Sequence, residues 1–481
     1  MKTKKIFLSV ATAALLSGCL MSCGGGVSKT LTVWVGNEPG TTEFYQGVID
    51  AWLQGEGAKY ADYKIEAKGT DVGSISGSIT QDPQAAGDIF TVAHDNVGKL
   101  ASQKCAKPIG DPALTEQILA DNPQGFIDVS YSNLNGKSML YAAPYISQAL
   151  FLYYDTRVAG PEDVDTFEHL FAKAEENNSK AFTVPSSDGA DGYNFSFVLL
   201  STRVEDHYTS LKLYEGAAPD GSSKGECWAQ GDDRVATLRW VQDALANENG
   251  MKYASADGWD QDVKNGSCFA LIGGAWHFED FATAVGESNV GVALIPTFEL
   301  QANHVEGLDS SVVKAGDVYR GGTFADCKVF MLNANTHKSK YQLQQDLVKH
   351  LSSAEIQTLA FEKQTIVPAN KNAVEGIETL YAEKKVSELQ YKLATTQIAM
   401  GAWGIPQPFI TGSLNTYYYS KNAPAVYAAM SVGNNYPTTG TPLISDTRTL
   451  NGIRQGLYLM NYIWLKGKNP TEIPATLPAQ I

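Results

Sequence analysis

The chain has 481 residues and a mass of 51.9 kDa, room for two or three domains at about 150 residues each. Hydrophobic residues make up 43% and charged residues 19%, the balance of a folded globular protein rather than a disordered one. Lys and Arg number 37 against 52 Asp and Glu, a net charge of -15 without a basic block, which argues against a nucleic-acid partner or an anionic lipid surface.

Lys2, Lys4 and Lys5 precede an apolar run, Ile6–Leu16, that closes on Ser17, Gly18 and Cys19. As a helix this run would span roughly 16 Å, about half of a ~30 Å hydrocarbon core, so it reads as a secretory signal peptide rather than a membrane span. Leu16-Ser17-Gly18-Cys19 is similar to the lipobox of bacterial lipoproteins, and Leu20-Met21-Ser22-Cys23 is a second match followed by Gly24-Gly25-Gly26. Residues 1–22 are therefore expected to be a lipoprotein signal, with cleavage before Cys19 or Cys23 and lipidation of that cysteine. Residues 23–30 follow as a flexible tether. The chain is expected outside the cytoplasmic membrane, held only by its lipid. No later stretch reaches about 18 consecutive apolar residues.

The mature chain opens on Leu31-Thr32-Val33-Trp34-Val35, a β-favouring run that ends at Gly36-Asn37. Phe44, Val48, Ile49 and Trp52 then fall at helical spacing before Gly55 and Gly57. Strands are predicted around Tyr63–Ala67 and over Gly87–Ala93, and this strand–helix alternation points to an α/β layer with parallel pairing. Leu140–Pro144 and Ala149–Tyr154 read as successive strands. Asp165 with Glu168 resembles a capping box for a helix over Phe167–Glu176. Leu238, Val241 and Leu245 mark one face of another helix, and Cys268–Ile272 is strand-like up to Gly273-Gly274. Ser352 and Glu355 are expected to cap a helix carrying Ile356 and Leu359. A helical composition runs from about Glu375 to Met400, until Gly404, Pro406 and Pro408 break it. No repeat of 20–50 residues is visible, which disfavours a solenoid.

Catalytic and metal motifs are missing from the sequence. There is no H-E-x-x-H, no phosphate-binding loop of the Walker type and no G-x-G-x-x-G opening a helix. The histidines show no i, i+3 or i+4 pair. Asp188-Gly189-Ala190-Asp191-Gly192 has part of a calcium-loop rhythm without the closing Glu, and reads as a turn. Cys105, Cys227, Cys268 and Cys327 are widely spaced and read as small buried hydrophobes. Asp260 with Asp262 and Glu279 with Asp280 are the carboxylate pairs a glycoside hydrolase could use, although such an enzyme needs them facing across a cleft. No cofactor and no metal are expected.

Five blocks taken together carry a resemblance. Leu31–Trp34, Gly87–Asp95, Asn135-Gly136-Lys137 leading into Tyr141–Pro144, Phe269–Trp276 and Val292–Phe298 lie in the order found in maltose/maltodextrin-binding proteins. These are the extracytoplasmic solute-binding components of carbohydrate ABC importers, and Ile405-Pro406-Gln407 is similar to their proline-containing segment near the ligand. The resemblance implies an α/β, two-lobed hinged trap of the periplasmic-binding-protein type with a central cleft. Its first lobe would comprise residues 31–146 and 320–375, and its second residues 147–319 and 376–481. It implies a monomer that binds an oligosaccharide, with maltodextrins as the family's type of ligand, and hands it to an ABC permease without chemistry. Glu38 and Asp95 align with acidic cleft positions, and Gln148 stands where the family carries a Glu. Tyr193 and Trp276 match stacking aromatics, and Tyr417, or else Tyr418 or Tyr419, would replace a later tryptophan. Such rings offer broad apolar faces to a pyranose at little cost in side-chain entropy. The rivals are a surface glycoside hydrolase using an acidic pair and an adhesive lipoprotein. The chain departs from the maltose binders at Val92 and Gln148, in a Gly/Ser-rich insertion over about 210–233 and in a tail of about sixty residues.

Overall fold

The computed structural model describes residues 28–72, 74–186, 194, 197, 200–206, 231–255 and 258–406. Cys19, Cys23, Tyr193, Gln407, the tyrosines 417–419, most of the 210–233 insertion and the C-terminal tail lie outside the described residues, as do Cys227 and the Asp188–Gly192 turn.

The opening run becomes β1 (Thr30–Gly36), and the helix Thr41–Gln54 that follows buries Val48, Ile49 and Trp52 as the spacing predicts, stopping at Gly55. β2 (Lys64–Thr70) and β3 (Ile89–Ala93) pair with β1 in parallel, one on each side. After β4 (Ala106–Lys107) and the hairpin β5 (Tyr131–Leu134) with β6 (Lys137–Leu140), the chain enters β7 (Ala142–Gln148). It then crosses through Ala149 and Leu150 into β8 (Phe151–Asp155), all five residues of which are buried.

Next come β9 (Lys180–Ser186), β10 (Thr202–Arg203), β11 (Met251–Ser255), β12 (Cys268–Gly273), β13 (Val290–Ala293), β14 (Thr297–Glu299) and β15 (Val318–Arg320). The chain then returns through β16 (Thr323–Phe324) into β17 (Asp326–Asn333), and β18 (Gly404–Ile405) pairs back in parallel with β16. Two separate sheets result. The first has the order β2-β1-β3-β17-β4 with β7 also on β17, and the second has the order β11-β9-β12-β8-β13. Each sheet has its own apolar core, so the molecule is a two-lobed α/β protein, as the sequence implies.

In the first lobe Phe330 of β17 sits 4.3 Å from Tyr145 and 6.0 Å from Tyr45, ring centre to ring centre. The second lobe is built around Phe167, fully buried, whose ring lies 4.8 Å from Trp240 and 5.2 Å from Phe182. Trp240 in turn stacks on Phe298 at 4.0 Å. Offset and tilted rings at these separations add to simple area burial. Leu238 and Val241 face this core from the helix Asp232–Ala246, as their spacing predicts.

Three local expectations shift. The helix Phe167–Glu176 is capped by Thr166, whose Oγ1 accepts from the His169 N–H at 3.1 Å, while Asp165 bonds the His169 ring at 2.7 Å. Ser353 rather than Ser352 caps the helix Ala354–Gln364 by accepting from the Ile356 N–H. Capping needs extended backbone at the cap residue, which Thr166 and Ser353 have and which composition does not reveal. The long helical stretch is two helices, Lys371–Ala382 and Glu388–Gly401, the second begun by a capping box between Ser387 and Gln390. Cys105, Cys268 and Cys327 are free and buried, the small-hydrophobe role expected of them.

Because Phe167 anchors five aromatic neighbours, Phe167→Ala should lower unfolding free energy by about 3–5 kcal/mol. A denaturant titration followed by tryptophan fluorescence measures it, and a loss of under about 1 kcal/mol would mean the cluster collapses into the gap.

Candidate functional site

The register of the crossing strands fixes which ends of the two sheets meet. β17 runs antiparallel to β3 with Lys328 opposite Ala93, and antiparallel to β7 with Asp326 opposite Gln148. The start of β17 and the end of β7 therefore lie beside the carboxyl end of β3. In the second sheet Phe151, where β8 begins, is opposite Gly273, where β12 ends. β9 and β11 run parallel to β12 and finish at the same edge. Both sheets thus turn the carboxyl ends of their parallel strands toward the crossing, the position where open α/β sheets hold ligands.

Asp95 follows β3 in a single turn, His94–Asn96, and its carboxylate accepts from Asn96 Nδ2 at 2.8 Å. Removal from water pushes its pKa up to about 6; the His94 ring pulls it down and the Asp326 carboxylate pushes it further up. His94 is buried, with Nδ1 3.2 Å from the Cys327 carbonyl and Nε2 3.7 Å from Asp326 Oδ1. These contacts hold the His94 ring against β17 and beside the acidic pair. Asp326 is the residue that sequence reasoning missed. It lies 231 positions from Asp95 along the chain, and only the β3–β17 pairing brings the two together.

Glu38 stands in the loop after β1, exposed, with its carboxylate 3.1 Å from Lys328 Nζ. Its flexible side chain lies over Gly36, where an added Cβ would come within 2.0 Å of Oε2. Gln148 closes β7 at the hinge.

On the second lobe, Gly273-Gly274 leads from β12 into the turn Ala275–His277. Trp276 is 44% exposed, the most exposed large apolar side chain among the described residues. A Cβ on Gly274 would lie 2.2 Å from the Trp276 ring, so the indole lies directly over this glycine. Beneath it Tyr153 donates to the Gly274 carbonyl at 3.1 Å, and His277 Nδ1 accepts from the Gly274 N–H at 3.2 Å. That bond fixes the imidazole as its Nε2–H tautomer, and burial pushes its pKa down to about 4. Trp259 packs edge-on against the same imidazole at 5.3 Å. The indole is thus held on a rigid seat at the sheet edge.

The proposed hydrolase pairs are arranged otherwise. Asp262 pairs with Lys252 at 2.7 Å, Asp260 accepts from Gln261 at 3.1 Å, and Glu279 and Asp280 sit exposed in the first turn of the helix Phe278–Val285. All four stand on the second lobe, Glu279 and Asp280 at its surface and Asp260 and Asp262 half-buried.

Two sheets that offer carboxylates on one edge and an exposed indole on the other, joined by crossing strands, define a hinged solute binder. Residues 57–387 match the model of the bacterial extracellular solute-binding proteins, and the chain belongs to that family. No curated protein sequence matches it. Among solved structures, it is similar to a maltodextrin-binding protein from L. casei BL23 without ligand, at 20% identity and a TM-score of 0.64, over 91% of this chain and 100% of that one. It is also similar to the extracellular solute-binding protein from Staphylococcus aureus in complex with maltose, at 16% identity and a TM-score of 0.60, over 92% of this chain and 98% of that one. A third is the GacH receptor of Streptomyces glaucescens, solved unliganded and with acarbose, at 16% identity and a TM-score of 0.61, over 92% of this chain and 100% of that one. At these identities the likeness is one of fold, and it covers nearly all of each protein.

Asp95 and His277 carry opposite linkage. Asp95 is raised above the ordinary carboxylate value of 3.8, so its ionisation removes stability as pH rises through about 6. His277 is lowered from 6.5 to about 4, so stability it contributes is present above 6.5 and lost as pH falls toward 4. Asp95→Asn keeps the acceptor for Asn96 and removes the first effect alone. It should raise stability by about 1–3 kcal/mol at pH 7.5 and leave it unchanged near pH 4. Melting curves at the two pH values check this, and equal shifts at both would rule out the buried charge as the cause.

Proposed function

We propose that this chain captures an oligosaccharide, of α-glucan type, in the cleft between its lobes and delivers it unchanged to an ABC permease. In this reading residues 31–146 and 320–375 form one jaw, and residues 147–319 and 376–481 form the other. The observation that carries it is the pairing of chemistries across the crossing. Asp95 offers a desolvated carboxylate beside Asp326 on the first sheet edge, and Trp276 offers an exposed ring on the second. A sugar needs both, since its hydroxyls donate to carboxylates in charge-assisted bonds while its C–H face packs on an aromatic ring. Solved proteins of the same fold bound to maltose and to acarbose support the choice of sugar. Glu38, Gln148, Tyr193 and Tyr417 complete the proposed contact set.

A ligand that touches both jaws only when they close stabilises the closed form by that difference, and the closed form is the one proposed to dock on the permease. The energy of transport is the importer's, so the chain needs no catalytic group. Export and anchoring through Cys19 or Cys23 would keep it at the outer face of the cytoplasmic membrane.

Calorimetry with a series of malto-oligosaccharides tests the reading, alongside an assay for new reducing ends. Saturable binding without new reducing ends is expected. Trp276→Ala should weaken binding by about 1–3 kcal/mol while leaving the melting temperature near that of the parent, because the indole is exposed. Affinity unchanged by this substitution would take Trp276 out of the site. Binding should also weaken as pH falls below about 6, where Asp95 gains a proton and loses its acceptor charge. A flat affinity profile from pH 7.5 to 5 would remove Asp95 as a charged acceptor.

A further inference from the structure

Both polar groups of Gly274, the glycine under the Trp276 indole, are bonded within the molecule. Its carbonyl accepts from the His277 N–H at 3.0 Å and from the Tyr153 hydroxyl at 3.1 Å. Its N–H donates to His277 Nδ1 at 3.2 Å. His277 therefore closes the turn Ala275–His277 twice, once through its backbone and once through its ring. The backbone bond is open to almost any residue at this position. The ring bond depends on the side chain, because it needs an acceptor where Nδ1 stands.

The imidazole is itself confined. Gly273 lies against it, so closely that an added Cβ would come within 2.5 Å of Nδ1. Trp259, buried at the start of the helix Trp259–Lys264, packs edge-on at 5.3 Å, and Asp262 of that helix is paired with Lys252 of β11. The Trp276 ring stands 5.4 Å from the imidazole, tilted by 53°. The three rings form a series from a buried helix start to the exposed indole, with His277 in the middle. Tyr153, buried under the same turn, is fixed by Phe151 at 4.7 Å and by Phe281 at 5.3 Å. With the carbonyl anchored to this core, the Gly274 N–H is the remaining group whose partner decides how the turn sits.

We propose that His277 is a positioning residue for solute capture: by accepting from the Gly274 N–H it sets the orientation of the Trp276 ring, and it touches no solute itself. The solute half of this inference rests on the cleft function proposed above, whereas the positioning half stands on the turn alone. A stacking ring ordered before the solute arrives has less side-chain freedom to lose on binding. Without the Nδ1 acceptor the Gly274 N–H is left unpaired, and other arrangements of the turn compete with the seated one. Apparent affinity then falls with the fraction of chains that hold the ring in place.

The full chain is labelled with fluorotryptophan, and the fluorine resonance of Trp276 is assigned by its loss in Trp276→Phe. Its line shape reports the order of the indole, and calorimetry with malto-oligosaccharides reports affinity. His277→Phe keeps a ring and removes the acceptor, whereas His277→Asn keeps an acceptor at the Nδ1 position and removes the ring. Gly273→Ala leaves His277 in the chain and drives its Nδ1 off the N–H. His277→Phe and Gly273→Ala should both broaden or split the Trp276 resonance and weaken binding by about three- to tenfold, the worth of one hydrogen bond. His277→Asn should keep the parent's resonance and bind within about twofold of it. Equal losses in His277→Asn and His277→Phe would assign the effect to ring bulk or to direct contact and overturn the proposal. A resonance unchanged in His277→Phe and Gly273→Ala, or a disturbed one with unchanged affinity, would overturn it too, and either variant decides where the other does not fold. A parent chain that binds no malto-oligosaccharide would refute the choice of solute, and the resonance would still decide whether His277 sets the ring.

Discussion

The pairing of β17 with both β3 and β7 is the constraint on which the rest depends. One antiparallel strand enters the first sheet from the second lobe, and its register sets Asp326 against Gln148 and Lys328 against Ala93. A slip of one residue would turn every side chain of β17 to the opposite face, burying Lys328 and exposing Val329. Val329, Phe330 and Met331 are fully buried, on both faces of the sheet, so the polar residues Asp326 and Lys328 at the start of the strand are what a slip would misplace. The same register places Asp326 beside His94 and Lys328 beside Glu38. Packing energy spent on the sheet therefore also positions the polar groups at its edge.

The crossing is tied at more than one level. Leu150 donates its N–H to Thr323 Oγ1 at 2.7 Å, linking the outgoing strand to the returning one. Gln397 reaches from the Glu388–Gly401 helix to the Ser147 carbonyl. Hydroxyl and amide hydrogen bonds thus join the strands at the crossing, beside the buried Ala149, Leu150 and Phe324.

Much of the fold was legible in the sequence because it rests on local periodicity. The apolar spacing of Val48, Ile49 and Trp52, the run at Ile89–Ala93 and the glycine pair after Ile272 each specify an element from neighbours in the chain. Elements set by a single cap were less legible: Thr166 beside Asp165 and Ser353 beside Ser352 offer equivalent hydroxyl or carboxylate chemistry one residue apart, and only backbone conformation decides between them. The site divides along the same line. Trp276 could be placed at a sheet edge from Gly273-Gly274 alone, whereas Asp326 has no local signal. Its partners are His94 and Asp95, far away in sequence, and a lone Asp at the start of an apolar run gives no hint of them.

Asp95 and His277 show how the two edges differ in their chemistry. The first edge holds a carboxylate whose charge is costly, beside a second carboxylate and a buried histidine. The second holds an imidazole kept neutral by burial, used to brace a backbone turn under an indole. Replacing the carboxylate by an amide would give a more stable lobe at neutral pH, so packing alone does not explain its presence. In the proposed function, hydroxyl donors of a solute directed at the charged form would recover the solvation that the fold removes. The indole needs no such recovery, because its exposed face is apolar and loses little by waiting in water. Under the same proposal the two edges would offer one polar and one apolar partner to a single amphipathic solute held between the lobes.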